Sequence, residues 1–318
     1  MIKILANDGI SSSGIKLLKD NGFDICTENV SQNQLINEIN KNNYQVLLVR
    51  SATKAKKDLI DNCPNLKIIG RGGVGMDNID VDYAKEKGIN VINTPAASSD
   101  SVAELVFAHL FGMVRFLYES NRRMPMEGDT DFKNLKKSFS KGIELKGKTL
   151  GIIGFGRIGK EVAKRAIGLG MKILVNDRTV KESSVSLEFY NGVKNDFKII
   201  TQDLKSVLNK SDFVTIHIPK INEKAIIGPD EIGMMKTGAG IINTSRGGVI
   251  DETALMFALD KKKLAYAGLD VFENEPSPSI HLLMHNGVSL TPHIGAATIE
   301  AQDRIGTELA DQIIKHFN

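Results

Sequence analysis

Residues 151–178 read GIIGFGRIGKEVAKRAIGLGMKILVNDR. An apolar run breaks into glycine at 154, 156 and 159 and continues as a segment with helical spacing. Taken alone, G-x-G-x-x-G is a weak pattern that glycine-rich turns match by chance. Here it stands between a strand-like run and an amphipathic helix, where each glycine has its own duty. Gly154 permits a tight turn, Gly156 lets backbone approach a pyrophosphate, Gly159 lets helix and strand pack closely, and the helix N-terminus offers amide donors to an anion. The next apolar run ends at Asp177, near the expected separation of about 20 residues. A carboxylate there accepts hydrogen bonds from both ribose hydroxyls and repels a 2′-phosphate, which favours NAD over NADP. Arg178 beside it is suited to hold that phosphate and weakens the inference.

Outward from this motif, short apolar runs alternate with helix-like segments. IKILAND (2–8), FDICTE (23–28), YQVLLVR (44–50), LKIIGRG (66–72) and INVINT (89–94) read as strands, with helical spacing at 31–42 and 81–88. A second series runs through KTLGIIG (148–154), MKILVND (171–177), DFVTIHI (212–218), GAGIINTS (238–245), AYAGLDVF (265–272) and GVSLTP (287–292). Such alternation means βαβ units and parallel sheets. The expected fold is therefore α/β, with two Rossmann- or flavodoxin-like doubly wound domains and a ligand cleft between them. Residues 98–124 interrupt the rhythm and read as one long helix opened by a Ser/Asp cap. The polar, Lys-rich stretch 127–148 shows no regular pattern, and 298–317 is helical.

Composition excludes several function classes. The 318 residues carry 41 basic and 38 acidic side chains, net +3, too even for a nucleic-acid surface, and aromatic residues for base stacking are few. Two cysteines, Cys26 and Cys63, make no disulfide framework and have no metal-ligand spacing, which fits a reducing cytoplasm. The start, MIKILAND, lacks a signal-peptide run, and no stretch approaches the ~18 apolar residues of a membrane span.

In open α/β sheets ligands bind beyond the carboxyl ends of strands. On that edge of the second series stand Arg246 with Gly247 and Gly248, then Asp270, Glu273 and Glu275, then His293. Arginine can grip a substrate carboxylate through paired hydrogen bonds. Histidine can exchange a proton with a carbinol oxygen near neutral pH, and a nearby glutamate would orient it and favour its protonated form. Each residue alone also fits an ordinary role, a surface arginine or a satisfied core histidine. Three suited types on successive strand ends favour the chemical one. His217, also at a strand end, is expected on the cofactor side or in packing, and His109 as a packing residue inside the long helix. His281 and His285 lie four apart on a helix-like stretch, but HLLMH lacks the glutamate of H-E-x-x-H. They are expected to face solvent, with no metal. His316 is terminal.

GFGRIG, NTSRGGVIDETAL, GLDVFENEP and TPHIGAAT, in this order and spacing, resemble the signatures of the D-isomer-specific 2-hydroxyacid dehydrogenase family, over essentially the whole chain. The resemblance implies a discontinuous substrate-binding domain (1–97 plus 293–318), an NAD-binding Rossmann domain (98–292) and a homodimer. It implies carboxylate binding by Arg246, acid/base work by His293 and a supporting acid at Glu275, the glutamate immediately before proline. For the cofactor it implies Gly154, Gly156, Arg157, Ile158 and Gly159 at the pyrophosphate, Asp177 at the ribose and Asp270 at the nicotinamide amide, with Val74, Ile218, Ser245, Gly295 and Ala296 lining the site.

Within the family, VRSATK (49–54) and GRGGVGMDNID (70–80) are similar to the D-3-phosphoglycerate dehydrogenase branch. That implies a phosphorylated substrate, with Arg50, Ser51, Lys54, Arg71 and Gly73 at the substrate and Arg122, placed after the long helix, as a further phosphate ligand. The expected reaction is oxidation of D-3-phosphoglycerate in phosphorylated serine synthesis. A glyoxylate/hydroxypyruvate reductase and a dinucleotide-sensing corepressor are the other functions compatible with the same triad. The C-terminal regulatory domain of longer relatives is expected to be absent.

Overall fold

The apolar runs of the first hundred residues form strands, and the central ones bury both faces. In the computed structural model, which describes residues 1–220 and 224–318, they are β1 (Lys3–Ala6), β2 (Asp24–Cys26), β3 (Val46–Val49), β4 (Ile68–Arg71) and β5 (Asn90–Asn93). Between them run α1 (Ser12–Asp20), α2 (Leu35–Asn42), α3 (Lys57–Asn62) and α4 (Val81–Glu86). The sheet is parallel in the order β2-β1-β3-β4-β5. Central β3, VLLV, is buried at every position, the continuous apolar signature of a strand covered on both sides.

A broken helix follows. The stretch 98–124 is not one helix: α5 (Ser99–Val114) and α6 (Leu117–Glu127) meet at a 56° bend. Phe116 sits there with φ +54°, its ring 6.0 Å from Phe139, and Val114 O accepts from Ile143 N. A left-handed, non-glycine residue is costly, and periodicity along 98–124 gives no sign of it. The stretch expected to be irregular contains α7 (Phe132–Ser138), which buries only Leu135. One inward residue is too little to show as a pattern.

The second series gives β6 (Thr149–Ile153), α8 (Arg157–Gly168), β7 (Lys172–Asn176), β8 (Glu182–Glu188), β9 (Lys194–Ile200), α9 (Leu204–Lys210) and β10 (Phe213–Ile216). It continues with α10 (Pro229–Met234), β11 (Ala239–Asn243), α11 (Glu252–Asp260), β12 (Leu264–Leu269), α12 (Ile280–Leu283) and β13 (Val288–Leu290). Six strands form a parallel sheet ordered β13-β12-β11-β10-β6-β7. β8 and β9 instead make an antiparallel hairpin with Val185 opposite Phe197, and Val185 and Ile199 are buried in the cluster that includes Val162 and Ala166 of α8. No strand was expected there. Finally α13 (Ile299–Phe317) packs on α1, β4 and β5, placing Ile305, Leu309 and Ile313 beside Ile4, Leu48 and Ile68.

The chain thus separates into one unit of Met1–Ser101 with Ala296–Asn318 and a second of Val102–Gly295. The crossings fall at 101/102 and 295/296 rather than 97/98 and 292/293, which assigns His293 to the second unit. Strand order reverses between β1 and β3 in the first and between β6 and β10 in the second, the switch points where such sheets hold ligands. Among the described residues no single helix is long and apolar enough to cross a membrane.

Candidate active site

The switch point of the second unit is built by glycines. Gly154 has φ +93°, and a Cβ on it would lie 2.4 Å from His217 O at the end of β10. A Cβ on Gly159 would lie 2.2 Å from Gly154 O, so α8 starts hard against the strand. A Cβ on Gly156, at the N-cap of α8, meets nothing within 4 Å. Two of these glycines are required by protein packing, and the third borders open space at a helix N-terminus. That cradle fits a dinucleotide pyrophosphate. Arg157 is exposed and Ile158 half-buried in the first turn of the helix.

Asp177 ends the next strand. Its Oδ2 accepts from Phe155 N at 2.7 Å, and its Oδ1 accepts from Thr179 N, Thr179 Oγ1 and Val180 N at 2.8, 3.0 and 3.0 Å. Partial burial raises the carboxyl, and these donors more than offset it, leaving it at about 2. The group is a fixed anion tied to the glycine turn on one side and the start of the hairpin on the other. Oδ2, with one donor, has the greater remaining capacity for a ribose hydroxyl.

His293 and Glu275, 18 positions apart, come together. His293 Nδ1 lies 2.8 Å from Glu275 Oε2, and Glu275 Oε1 accepts from Phe272 N at 3.0 Å. With the carboxylate on Nδ1–H, the imidazole keeps Nε2 as its basic nitrogen. His293 itself is left-handed, φ +55°, an uncommon backbone conformation outside glycine. Glu273 takes a different task, accepting from Glu252 N at 3.1 Å.

Arg246 follows β11. Asn243 accepts from Ser245 N and Oγ and donates to Arg246 O at 2.8 Å, and Arg246 Nη1 donates to Ser245 O at 2.6 Å. A Cβ on Gly247 would lie 1.7 Å from Phe272 O. The arginine turn is therefore pressed against the loop that leads to Glu275. Asn243 was not singled out in the sequence, although its place just before the turn in IINTS is where such a brace belongs. Ile218 and Ser245 are both half-buried near these strand ends.

Asp270, expected at the nicotinamide, is 1 % exposed. It accepts from Thr291 Oγ1 (2.6 Å), Ile294 N (2.8 Å) and Gly295 N (2.8 Å), so its visible work is to hold the backbone around His293. His217 bonds Thr215 Oγ1 through Nε2 at 2.9 Å, and burial lowers its imidazole to about 3. Its Nδ1 is buried with no partner among the described residues. His281 is exposed, whereas His285 is not simply solvent-facing. It lies beyond the end of α12, half-buried, with Nε2 3.5 Å from Asp260 and Nδ1 accepting from Gly287 N at 3.0 Å.

In the first unit, Arg50 and Arg71 lie on neighbouring strand ends, since Val49 pairs with Arg71. Asp8 accepts from Arg50 N (2.6 Å), Thr53 N (3.1 Å) and Thr53 Oγ1 (2.6 Å), while Asn78 donates to Arg50 O (2.8 Å) and Thr53 O (2.6 Å). Asp8 and Asn78 thus frame the loop bearing exposed Ser51 and Lys54, and neither stood out by sequence. Gly73 has φ +143° and leaves room for the Arg71 guanidinium, which curls over it. Val74 is exposed and Ala296 half-buried. Arg122 lies inside α6 rather than after it, stacked on Tyr118 and donating to its hydroxyl.

Residues 107–295 match the NAD-binding domain of D-isomer-specific 2-hydroxyacid dehydrogenases. The chain belongs to that family. It is 42 % identical to a hydroxypyruvate reductase of Thermotoga maritima over 99 % of this chain and 98 % of that one. It is also 42 % identical to a D-3-phosphoglycerate dehydrogenase of Methanocaldococcus jannaschii, covering 99 % of this chain but 57 % of the relative. The structure of a glyoxylate reductase from Paecilomyes thermophila superposes with a TM-score of 0.81 at 28 % identity, covering 98 % and 94 % of the two chains. The cofactor of this dehydrogenase is NAD, and its second unit is the NAD-binding domain.

Proposed function

We propose that this dehydrogenase oxidises D-3-phosphoglycerate to 3-phosphohydroxypyruvate. The observation that carries the substrate assignment is the pair Arg50 and Arg71 on adjacent strand ends of the first unit, with Lys54 on the braced loop beside them. Together they offer guanidinium forks and an ammonium suited to a phosphate. NAD, when bound, supplies the hydride acceptor. His293 Nε2 takes the hydroxyl proton as C2 loses its hydride, and Glu275 stabilises the imidazolium that results. Arg246 aligns the substrate carboxylate and polarises the forming carbonyl. The working form is a homodimer, which light scattering on the purified protein would check.

The test is kcat/KM for reduction of phosphohydroxypyruvate, hydroxypyruvate and glyoxylate with NADH. A strong preference for the phosphorylated acid is expected, and it should collapse in Arg71→Ala. Equal values for the three would assign the chain to hydroxypyruvate reduction. That second reading is favoured by the Thermotoga maritima relative, which matches at equal identity along nearly its whole length.

A further inference from the structure

His109 lies on the inward face of α5, among Val106, Leu110 and Met113, where an apolar side chain would pack at no polar cost. It is 2 % exposed, and its burial demands satisfied nitrogens. Both have partners: Nδ1 is 2.8 Å from Ser289 Oγ and Nε2 is 3.0 Å from Thr291 Oγ1. Ser289 and Thr291 alternate along β13 and the residue after it, so both project to one face. Room for the ring comes from β12, because a Cβ on Gly268 would meet His109 Cβ at 3.0 Å and Cγ at 3.2 Å.

The direction of this chain of bonds is fixed by its end. Thr291 donates its hydroxyl hydrogen to Asp270 Oδ1 at 2.6 Å, so toward His109 it can only accept. Nε2 must therefore carry the imidazole hydrogen, and Nδ1 must accept from Ser289. Burial favours the neutral ring this assignment needs, against the opposing pull of the Asp270 carboxylate. Asp270 then receives Ile294 N and Gly295 N, the two amides that follow His293, while His293 N donates to Thr291 O at 3.1 Å. Ser289, His109, Thr291 and Asp270 form one polarised series that ends on the backbone holding His293 in its left-handed conformation.

We propose that His109 is a positioning residue for the reaction, setting the aim of the His293 imidazole through Thr291 and Asp270. This rests on His293 being the acid/base group. A residue of α5 thereby gains a part in turnover without touching substrate or cofactor. The Nε2 hydrogen is the feature required, since by donating to Thr291 Oγ1 it leaves the Thr291 hydroxyl hydrogen to Asp270.

The experiment measures kcat, the KM of the keto acid, NADH affinity and melting temperature in full-length His109→Leu, His109→Gln, Thr291→Val and the His109→Leu/Thr291→Val double variant, with His293→Ala as reference. His109→Leu should lower kcat about tenfold, as loss of aim at the reacting atoms does, with KM and NADH affinity nearly unchanged. His109→Gln, whose amide can donate to Thr291, should recover most of that loss. The double variant should be no slower than Thr291→Val, the mark of a shared pathway. Wild-type kcat in folded His109→Leu would overturn the proposal, as would a loss that Gln fails to restore. Should His109→Leu not fold, Ser289→Ala removes the bond to Nδ1 and lets the ring change tautomer. A two- to threefold kcat loss at constant KM is then expected, and no loss refutes the idea. Wild-type turnover in His293→Ala would instead sink the acid/base assignment itself.

Discussion

The same glycine pattern occurs twice in this chain and does two different things. GRGGVG (70–75) ends β4 in the first unit and GFGRIG (154–159) ends β6 in the second. In the first, Gly72 packs near Ile305 of α13 and Gly73 accommodates the folded arm of Arg71. The chain then wanders to Val81 before α4 begins. In the second, Gly159 already belongs to α8, and the open side of Gly156 faces the helix N-terminus. One turn shapes a basic strand end and the other makes an anion cradle. What separates them is whether a helix starts within the motif, because only the helix aligns free amides on one point.

Substitutions can break or sharpen that contrast. The largest effect belongs to the chemistry of the second unit: His293→Ala should cost turnover a factor of ~10² or more while NADH affinity, read by titration calorimetry, stays as in wild type. Next comes Gly159→Ala, whose Cβ would strike Gly154 O. Displacing α8 from the strand should cost about 1–3 kcal/mol in urea denaturation and weaken NADH together with stability. Gly156→Ala should separate the two quantities, leaving the denaturation midpoint alone and lowering NADH affinity, since only a ligand can meet the new methyl. If Gly156→Ala binds NADH normally, the cradle is misassigned. Gly72→Ala, in the other turn, meets Ile305 at 3.1 Å. It should cost about 1 kcal/mol with no change in NADH affinity.

The last effect expected is a response to acid. His109 and His217 are held neutral in the second unit, their imidazoles pushed down by burial, His217 to about 3. In the unfolded chain they take a proton near the ordinary value of about 6.5. Stability from this source is complete above that pH and drains away as pH falls from about 6.5 toward 3. The first unit, whose one histidine is exposed His316, lacks the device. Hydrogen exchange at about pH 7.5 and 5 should show α5 and β10 losing protection relative to β1 and β3. Equal loss in both units would count against it.

Much of the fold was legible because its central strands are buried on both faces and so appear as unbroken apolar runs. VLLV and GIINTS need no partner to be read as central strands. What escaped was marked by single residues or by weak patterns. Phe116 breaks a helix through its own backbone angle, and the β8–β9 hairpin alternates too loosely, ESSVSLE against KNDFKII, to stand out. Near the candidate site, Arg246 and His293 could be named because strand ends concentrate function in such sheets, and Glu275 because the family resemblance points to the glutamate before proline. Asp8, Asn78 and Asn243 could not, since a polar residue that braces a loop looks like any other polar loop residue.

The sequence by itself determined the wound α/β class, the glycine turn with Asp177 at the next strand end, and the candidate reactive side chains, because those follow from local periodicity, residue chemistry and the motifs shared with the family. Only the tertiary structure decided that Asp270 is buried beneath the His293 turn and that His109 is wired to it through Thr291. Those outcomes depend on hydrogen bonds between residues as far apart as 109 and 291, and the direction of a hydrogen bond is set by what the next group in space has left to donate.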